Sequence, residues 1–435
     1  MGDTTIGIVG LFLLLLLFST GIELGFGMAL IGFFGFWICK SFPAALTLVS
    51  RDFFDVISSY GFTVFPLFIL MGQLGFNAGV AGRLYDSAHK FVGHVPGGIA
   101  MATVLASTAF KTICGSSVAT TATFASIAIP QMDRYGYDKR LSSGIVASVS
   151  SIGCIVPPSV VLIIIGILTE QSVGKLFLGG MIPGGIIVLL FMLIIYVWAK
   201  INPKVAPRAE ASTWRARFSS LPDIIWVLIL FVIIIGGIMK GIFTPTEAGS
   251  VGTFGILLLT IFQRGMTFKK YIKSVREALS TTCMILILVA GSMIFGHFIA
   301  ITGIPQASAN WVSSLAVNRY VILILICIIF LIGGSFIEDL AFMILALPIF
   351  YPSIMKLNFD PIWFGIIIGT VVMIGVVIPP MAVCVFVLKN ITGIPVGTIY
   401  KGVYPFLFSL IGCAILMFLF PSIITFLPEL LMPTG

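Results

Sequence analysis

The stretch Gly153-Cys154-Ile155-Val156-Pro157-Pro158-Ser159 sets two consecutive prolines inside an apolar run that extends over about 141–171. A second stretch, Gly375-Val376-Val377-Ile378-Pro379-Pro380, repeats the arrangement 222 positions later, inside an apolar run over about 361–391. A proline within a helix removes one backbone hydrogen bond and clashes with the preceding turn. Two in succession, after a glycine, unwind the helix locally. The freed carbonyls then face the bundle interior, and the two half-helix ends bring their partial charges to the same place. Unwound carbonyls with nearby Ser and Thr hydroxyls supply the oxygens that a sodium ion takes. Backbone opened in this way at membrane depth is tolerated only inside protein or beside a watery cavity.

The surroundings of both stretches are those of a membrane protein. Of 435 residues, 59% are hydrophobic and only 9% charged, against about 25% charged in an ordinary soluble domain. Such a chain cannot cover a soluble surface. A soluble enzyme, a disordered chain and a secreted disulfide scaffold are excluded. At about 20 apolar residues per crossing there is room for about ten to twelve. Full spans are expected at 5–19, 22–39, 55–77, 141–171, 184–200, 222–241, 247–263, 277–301, 361–391 and 403–427. Two further apolar segments, 96–133 and 320–352, are interrupted by Gly115-Ser116-Ser117 and Gly333-Gly334-Ser335. These read as re-entrant hairpins that enter and leave on one side; a kinked ordinary helix is the alternative.

Charge placement bears on the choice. The net charge is +8, and basic residues collect on cytoplasmic loops. With an outside N-terminus and two hairpins, the inside loops are 78–95, 131–140, 200–221, 264–276 and 389–402. They hold seventeen of the 24 basic residues. Full crossings at either hairpin would divide the richest loops between the two sides. The expected chain is therefore N-out and C-out.

The halves repeat. Gly115 to Pro130 and Gly333 to Pro348 each run sixteen residues from glycine to proline, at an offset of 218; the Pro-Pro pairs follow at 222. Val173-Gly174 with Pro183 then matches Val396-Gly397 with Pro405. An inverted repeat with discontinuous helices is the plan of secondary transporters, whose substrate and ions sit near the midplane. The expected organisation is scaffold helices over 1–54, a first repeat over 55–200, basic loops and scaffold helices over 201–276, and a second repeat over 277–435. The fold class is an all-α polytopic membrane protein.

Several residues stand out. Ser116, Ser117 and Thr120 lie on the first hairpin, as ion or substrate contacts or as close-packing small residues. Ser151 and Ser159 flank the first Pro-Pro. Glu338 and Asp339 stand in an otherwise apolar segment, where ionisable groups mark an ion or substrate path; of the two, Glu338 is preferred. Lys111, one turn before Gly115, attracts an anionic substrate, neutralises a carboxylate or snorkels. The candidate sodium ligands are thus Gly115, Ser116, Ser117, Thr120, Ser151, Pro157, Gly333, Gly334, Ser335, Glu338 and Pro379. The candidate substrate contacts are Lys111, Ser117, Pro158, Ser159, Pro380 and Met381.

Other features read as structural. Thr244-Pro245-Thr246-Glu247 is a helix start with capping chemistry. Asp3, Asp52 and Asp55 are placed on outside loops where they face a partner. The seven cysteines form no C-x-x-C and lie far from His89, His94 and His297; they read as filler. The absence of G-x-x-x-x-G-K-[ST], H-E-x-x-H and G-x-S-x-G leaves neither ATP as direct energy source nor a hydrolase or any other enzyme in view. Nucleic acid is not an expected partner.

At Gly115-Ser116-Ser117, Ile155-Val156-Pro157-Pro158-Ser159, Ser172-Val173-Gly174, Pro245-Thr246-Glu247-Ala248 and Pro379-Pro380, the chain resembles the large membrane subunit of the tripartite ATP-independent periplasmic (TRAP) transporters. The resemblance covers nearly the whole length. It implies an elevator-type importer of organic anions with Na+ as coupling ion, in a bacterial inner membrane. It implies two partners: a small four-helix membrane subunit and a soluble periplasmic substrate-binding protein. It places one sodium region at the first hairpin tip with Pro157-Pro158, and another at the second tip with Glu338 and Pro379-Pro380. Ile378 stands where the family often has Thr, Cys154 where it often has Pro, and Ala382 where it often has Gly. A stand-alone sodium/carboxylate symporter is the competing expectation. The longest polar stretch, 201–220, is too short for a capture domain.

Overall fold

A computed structural model describes residues 3–307 and 318–432. Residues 308–317 and the extreme ends of the expected 1–54 and 277–435 segments lie outside the described residues. Among the described residues the chain is helical throughout, with no strand. In chain order the α-helices are α1 (Asp3–Ser19), α2 (Leu24–Cys39), α3 (Phe42–Ser58), α4 (Val64–Asn77), α5 (Val80–Val92), α6 (Gly98–Cys114) and α7 (Ser117–Arg134). They continue with α8 (Lys139–Val149), α9 (Val160–Leu168), α10 (Val173–Ile201), α11 (Trp214–Met239), α12 (Pro245–Phe262) and α13 (Phe268–Ile301). The last are α14 (Arg319–Phe336), α15 (Asp339–Lys356), α16 (Pro361–Gly375), α17 (Val383–Thr392), α18 (Val396–Leu419) and α19 (Ser422–Leu431).

Seven of the described helices are each long and apolar enough to cross a membrane, and α3 with α4 forms a further pair bent by 52°. Five of the seven fall on expected spans, and the other two, α14 and α15, are the arms of the second interrupted segment. Of the remaining expected spans, α1 and α2 are shorter apolar helices, 55–77 belongs to the bent pair, and the two Pro-Pro spans are built from short pieces. The 141–171 span is α8, a 3-10 turn over Ile152–Cys154, and α9. The 361–391 span is α16 and α17. Both Pro-Pro peptide bonds are cis. These broken helices are also the interior. Leu141 to Val149 of α8, Val160 to Gly166 of α9 and Ile362 to Gly375 of α16 are buried without interruption. A helix apolar on all sides belongs in the middle of a bundle. Large apolar side chains are exposed instead along α1, α2, α11 and α14, where lipid is the solvent.

Both interrupted segments are hairpins. Phe110 of α6 and Phe124 of α7 have ring centroids 6.1 Å apart, where fourteen residues of continuous helix would separate them by about 21 Å. Phe330 of α14 and Phe350 of α15 are 5.7 Å apart, against about 30 Å along one helix. The second turn, however, is not at Gly333-Gly334-Ser335. Those residues form the last turn of α14, and the chain reverses at Ile337-Glu338. The acidic pair decides this. Asp339 opens α15, where its Oδ1 accepts the Leu340 N–H at 3.0 Å and the helix dipole favours a negative charge.

This places one offset, 222, over the whole repeat. Gly115-Ser116 corresponds to Ile337-Glu338, and α7 maps residue for residue onto α15. The packing follows the same twofold relation: α7 lies on α17 as α15 lies on α9, and α8 lies on α18 as α16 lies on α10. Each repeat therefore completes the other. A second group, α1–α4 with α11–α13, packs among itself, chiefly α2 and α4 on α13 and α12 on α4.

Two smaller expectations meet the structure here. Thr244 and Glu247 make the capping box that starts α12: Thr244 Oγ1 accepts the Glu247 N–H at 3.3 Å, and Glu247 Oε2 accepts the Thr244 N–H at 2.8 Å. None of the three aspartates expected on outside loops is on one: Asp3 opens α1, and Asp52 and Asp55 lie in α3. Asp52 is only 2% exposed, and its Oδ2 is 2.9 Å from His297 Nδ1 of α13. The amphipathic period of α3 turns this one carboxylate inward while Asp55 stays at the surface beside Arg51.

Candidate functional site

The first hairpin tip is made by local chemistry. Gly115 closes α6 with φ +66°, a conformation that a side chain disfavours. Ser116 caps α7 by accepting the Ala119 N–H at 3.3 Å. Ser117 is the first helical residue, and its hydroxyl points across the repeat boundary. It donates to Asp339 Oδ2 at 3.0 Å. It also accepts from Lys111 Nζ at 3.2 Å. Cys154, in the turn before the first Pro-Pro, donates its S–H to the same Asp339 Oδ2 at 3.3 Å.

All four side chains are buried: Lys111 and Cys154 within 1% exposure, Ser117 and Asp339 within 5%. An ammonium group removed from water needs a counter-charge, and breaking such a pair costs about 3–5 kcal/mol. Asp339 supplies the counter-charge through one hydroxyl. Of the three roles open to Lys111, neutralising a carboxylate is therefore the one its contacts display. The lysine stem lies over the broken helix at Gly153. A Cβ there would stand 2.2 Å from Lys111 Cδ and 2.6 Å from Nζ.

Glu338 is beside this cluster and outside its bonding. It is half-buried at the start of α15, and among the described residues its carboxylate makes neither hydrogen bond nor ion pair. One carboxylate, Asp339, is thus linked to the ammonium, and a second, Glu338, stands next to it in sequence without a bonding partner.

The hydroxyl candidates are tied to backbone. Thr120 donates to Ser116 O at 2.8 Å, Ser151 to Ser148 O at 2.8 Å, Ser335 to Ile332 O at 2.7 Å and Ser159 to Cys154 O at 2.8 Å. A donating hydroxyl can still accept, and that of Ser159 already accepts the Leu162 N–H at 3.4 Å. At the breaks, the carbonyl of Cys154 is taken by Ser159. Its symmetry mate, the Val376 carbonyl, is taken by the Cys384 N–H at 3.4 Å. Gly333 and Gly334 serve close packing: a Cβ on Gly333 would meet the Phe342 ring at 2.0 Å, and Gly334 lies under Gly375. Pro157 and Pro158 lie outside helix, between the 3-10 turn and α9. Pro379 leads to Pro380, whose carbonyl accepts the Tyr400 hydroxyl at 3.1 Å, and to Met381, which is 51% exposed. The structure thus gathers Lys111, Ser117 and Cys154 around Asp339, with Gly153 under the lysine stem. It leaves Met381 and Pro380 at the surface.

Two participants, Gly153 and Cys154, are not among the sequence candidates, and they carry no signal that marks a lysine bed or a thiol donor. Of the acidic pair the contacts fall to Asp339, not to the preferred Glu338; the 222 offset of the Pro-Pro pairs, applied to the tips, sets Asp339 opposite Ser117. A cavity of about 730 Å3 opens against Val156 and Pro157, but its walls are apolar and include no residue of the charged cluster. Among the described residues no cluster of His, Cys, Asp and Glu is suited to a tightly held metal.

Residues 9–423 match the family described as tripartite ATP-independent periplasmic transporter, DctM component. The chain is 36% identical over 389 residues to the C4-dicarboxylate TRAP transporter large permease protein DctM of Pseudomonas aeruginosa, covering 89% of this chain and 90% of that one. It is 32% identical over 422 residues to the sialic acid TRAP transporter large permease protein SiaM of Vibrio cholerae, covering 97% of each. Among solved structures, the Alcanivorax borkumensis YdaH transporter superposes with a TM-score of 0.51 at 13% identity, over 85% of this chain and 87% of that one. That likeness concerns the fold alone.

Proposed function

This chain belongs to the tripartite ATP-independent periplasmic transporter family as its DctM component, the large permease, and from that premise we propose that it imports a small organic acid with Na+ as the coupling ion. The anion is handed over by a soluble periplasmic binding protein, and a small four-helix membrane subunit completes the assembly in a bacterial inner membrane. The termini face the periplasm. The two hairpins and the two broken helices move as one transport unit against α1–α4 and α11–α13, in an elevator motion.

The observation that carries this reading is the buried Lys111 ammonium between two hairpin tips, held through Ser117 beside two carboxylates. An ammonium at that place meets the acid group of a substrate. The hydroxyl oxygens of Ser116, Thr120, Ser151 and Ser159, with the carbonyls of the breaks, meet cations. C4-dicarboxylate and sialic acid, the substrates in the names of the two relatives, both carry carboxylates. The driving force suffices. A tenfold sodium gradient gives about 1.4 kcal/mol per ion, and one net charge moving through 100 mV gives about 2.3 kcal/mol. Two ions with one monoanion would then yield about 5 kcal/mol, more than a thousandfold accumulation.

The test is uptake into proteoliposomes holding this chain and its small subunit. Radiolabelled succinate and sialic acid are offered with a panel of binding proteins, in external sodium or in potassium. Sodium-dependent uptake with one binding protein is the expected result. Uptake without any binding protein would replace this reading by a stand-alone symporter. Uptake indifferent to the cation would remove sodium from it.

A further inference from the structure

The two charges at the tips are unequally shared between the repeats. Position 111 is Lys in the first repeat, and its equivalent 222 residues on is Gly333, where the Phe342 ring leaves no room for a side chain. Position 117 is Ser, and its equivalent is Asp339. Each charge occurs once, so the cluster exists only where the two repeats meet.

The join is also indirect. Among the described residues Lys111 Nζ and Asp339 make no direct ion pair; the Ser117 hydroxyl stands between them. A hydroxyl bridge reorients by rotating one O–H, whereas a direct ion pair must be pulled apart. The ammonium has three donors, and Ser117 takes one of them. Asp339 Oδ2, for its part, is held by two weak neutral donors, a hydroxyl and a thiol.

We propose that Asp339 is a built-in stand-in for the substrate's acid group at Lys111, and that exchange between the two couples anion binding to cation binding. This rests on the reading of the chain as a cation-coupled anion permease and names how the coupling is made. In the empty site Asp339 neutralises Lys111. An arriving carboxylate takes the ammonium, and the Ser117 hydroxyl turns with it. Asp339, next to Glu338, is then a buried carboxylate without a counter-charge, and a buried charge left so is strongly unfavourable. A sodium ion relieves it. Anion and cation each favour the other by the same factor, as linkage requires. Neither charged species is retained well alone, which suppresses sodium leak.

The experiment uses sodium alone as probe on the purified membrane complex. Thermal unfolding is followed while NaCl replaces choline chloride at constant ionic strength. Lys111→Met removes the ammonium at similar bulk. It frees Asp339 without any substrate, and the sodium concentration for half-maximal stabilisation should fall about tenfold. Asp339→Asn should abolish that response. Lys111→Met with Asp339→Asn should unfold in choline near the wild-type temperature, above either single variant. Ser117→Ala keeps both charges and cuts the bridge; it should shift the sodium midpoint in the same direction by about threefold. It decides the matter should Lys111→Met fail to fold. A sodium midpoint unchanged in Ser117→Ala and in any folded Lys111→Met overturns the proposal. The sodium shift is read without transport, so sodium-independent uptake in proteoliposomes would sink the functional reading separately.

Discussion

Lys111 lies across the backbone of Gly153, so close that a methyl group on Gly153 would fall 2.2 Å from its Cδ. The atoms in the way are all at the far end of a flexible side chain. Gly153→Ala should therefore fold, with an unfolding temperature within a few degrees of wild type, but with Lys111 displaced from Ser117. Sodium-driven uptake should fall at least tenfold. Near-normal uptake in a folded Gly153→Ala would mean that the position of the ammonium is unimportant.

A different outcome is expected where glycine meets backbone. A Cβ on Gly402 of α18 would lie 1.8 Å from the Arg140 carbonyl, and one on Gly144 of α8 would lie 2.2 Å from the Gly402 carbonyl carbon. Small residues let membrane helices approach in this way. Gly402→Ala should cost about 1–3 kcal/mol through overpacking, read as a lower unfolding temperature and loss of monodisperse protein in detergent. Gly412→Ala on the same helix, where a Cβ meets open space, is the matched control and should be neutral or slightly stabilising.

Motion can be tested at the seam between the two groups of helices. Ser292 of α13 donates to the Ile344 carbonyl of α15 at 3.0 Å, and an elevator stroke must break that contact. Ser292→Cys with Ile344→Cys, joined by a short bifunctional thiol reagent in a background lacking the exposed Cys283, should stop uptake, and cleavage of the link should restore it. Transport through the linked pair would refute sliding between these elements.

Asp52 and His297 join α3 to α13. Asp52 is buried and His297 is half-exposed, so solvent weakens the charge interaction on one side. Asp52→Ala should cost about 1–2 kcal/mol, the range of a hydrogen bond to a charged group with one exposed partner. It should speed proteolysis around 59–63 and leave the sodium midpoint unmoved. A changed sodium response would tie α3 to the ion path instead.

Much of the architecture could be read from residues alone because its devices are local. Pro157-Pro158 and Pro379-Pro380 break helices wherever they stand, and Gly115 ends one because its φ is positive. Thr244 and Glu247 cap α12 through neighbours only three residues apart. At the second tip Gly333-Gly334 resembles a turn, two to four residues before the chain reverses. Helix packing uses those glycines for contact instead, and the acidic pair takes the turn. The partners of Asp339 and of Asp52 come from 222 and 245 residues away. No local pattern carries such information. Only the repeat offset does, and it speaks for Asp339 alone.

That offset has a consequence for the history of the chain. Two copies of the first half, joined, would bring two lysines to the centre and no carboxylate; two copies of the second would bring two aspartates and no lysine. Equal halves could not have held this arrangement. With Lys111 and Asp339 on different sides, the two modules are not interchangeable parts, and a symmetric dimer of either half would lack one of the two charges.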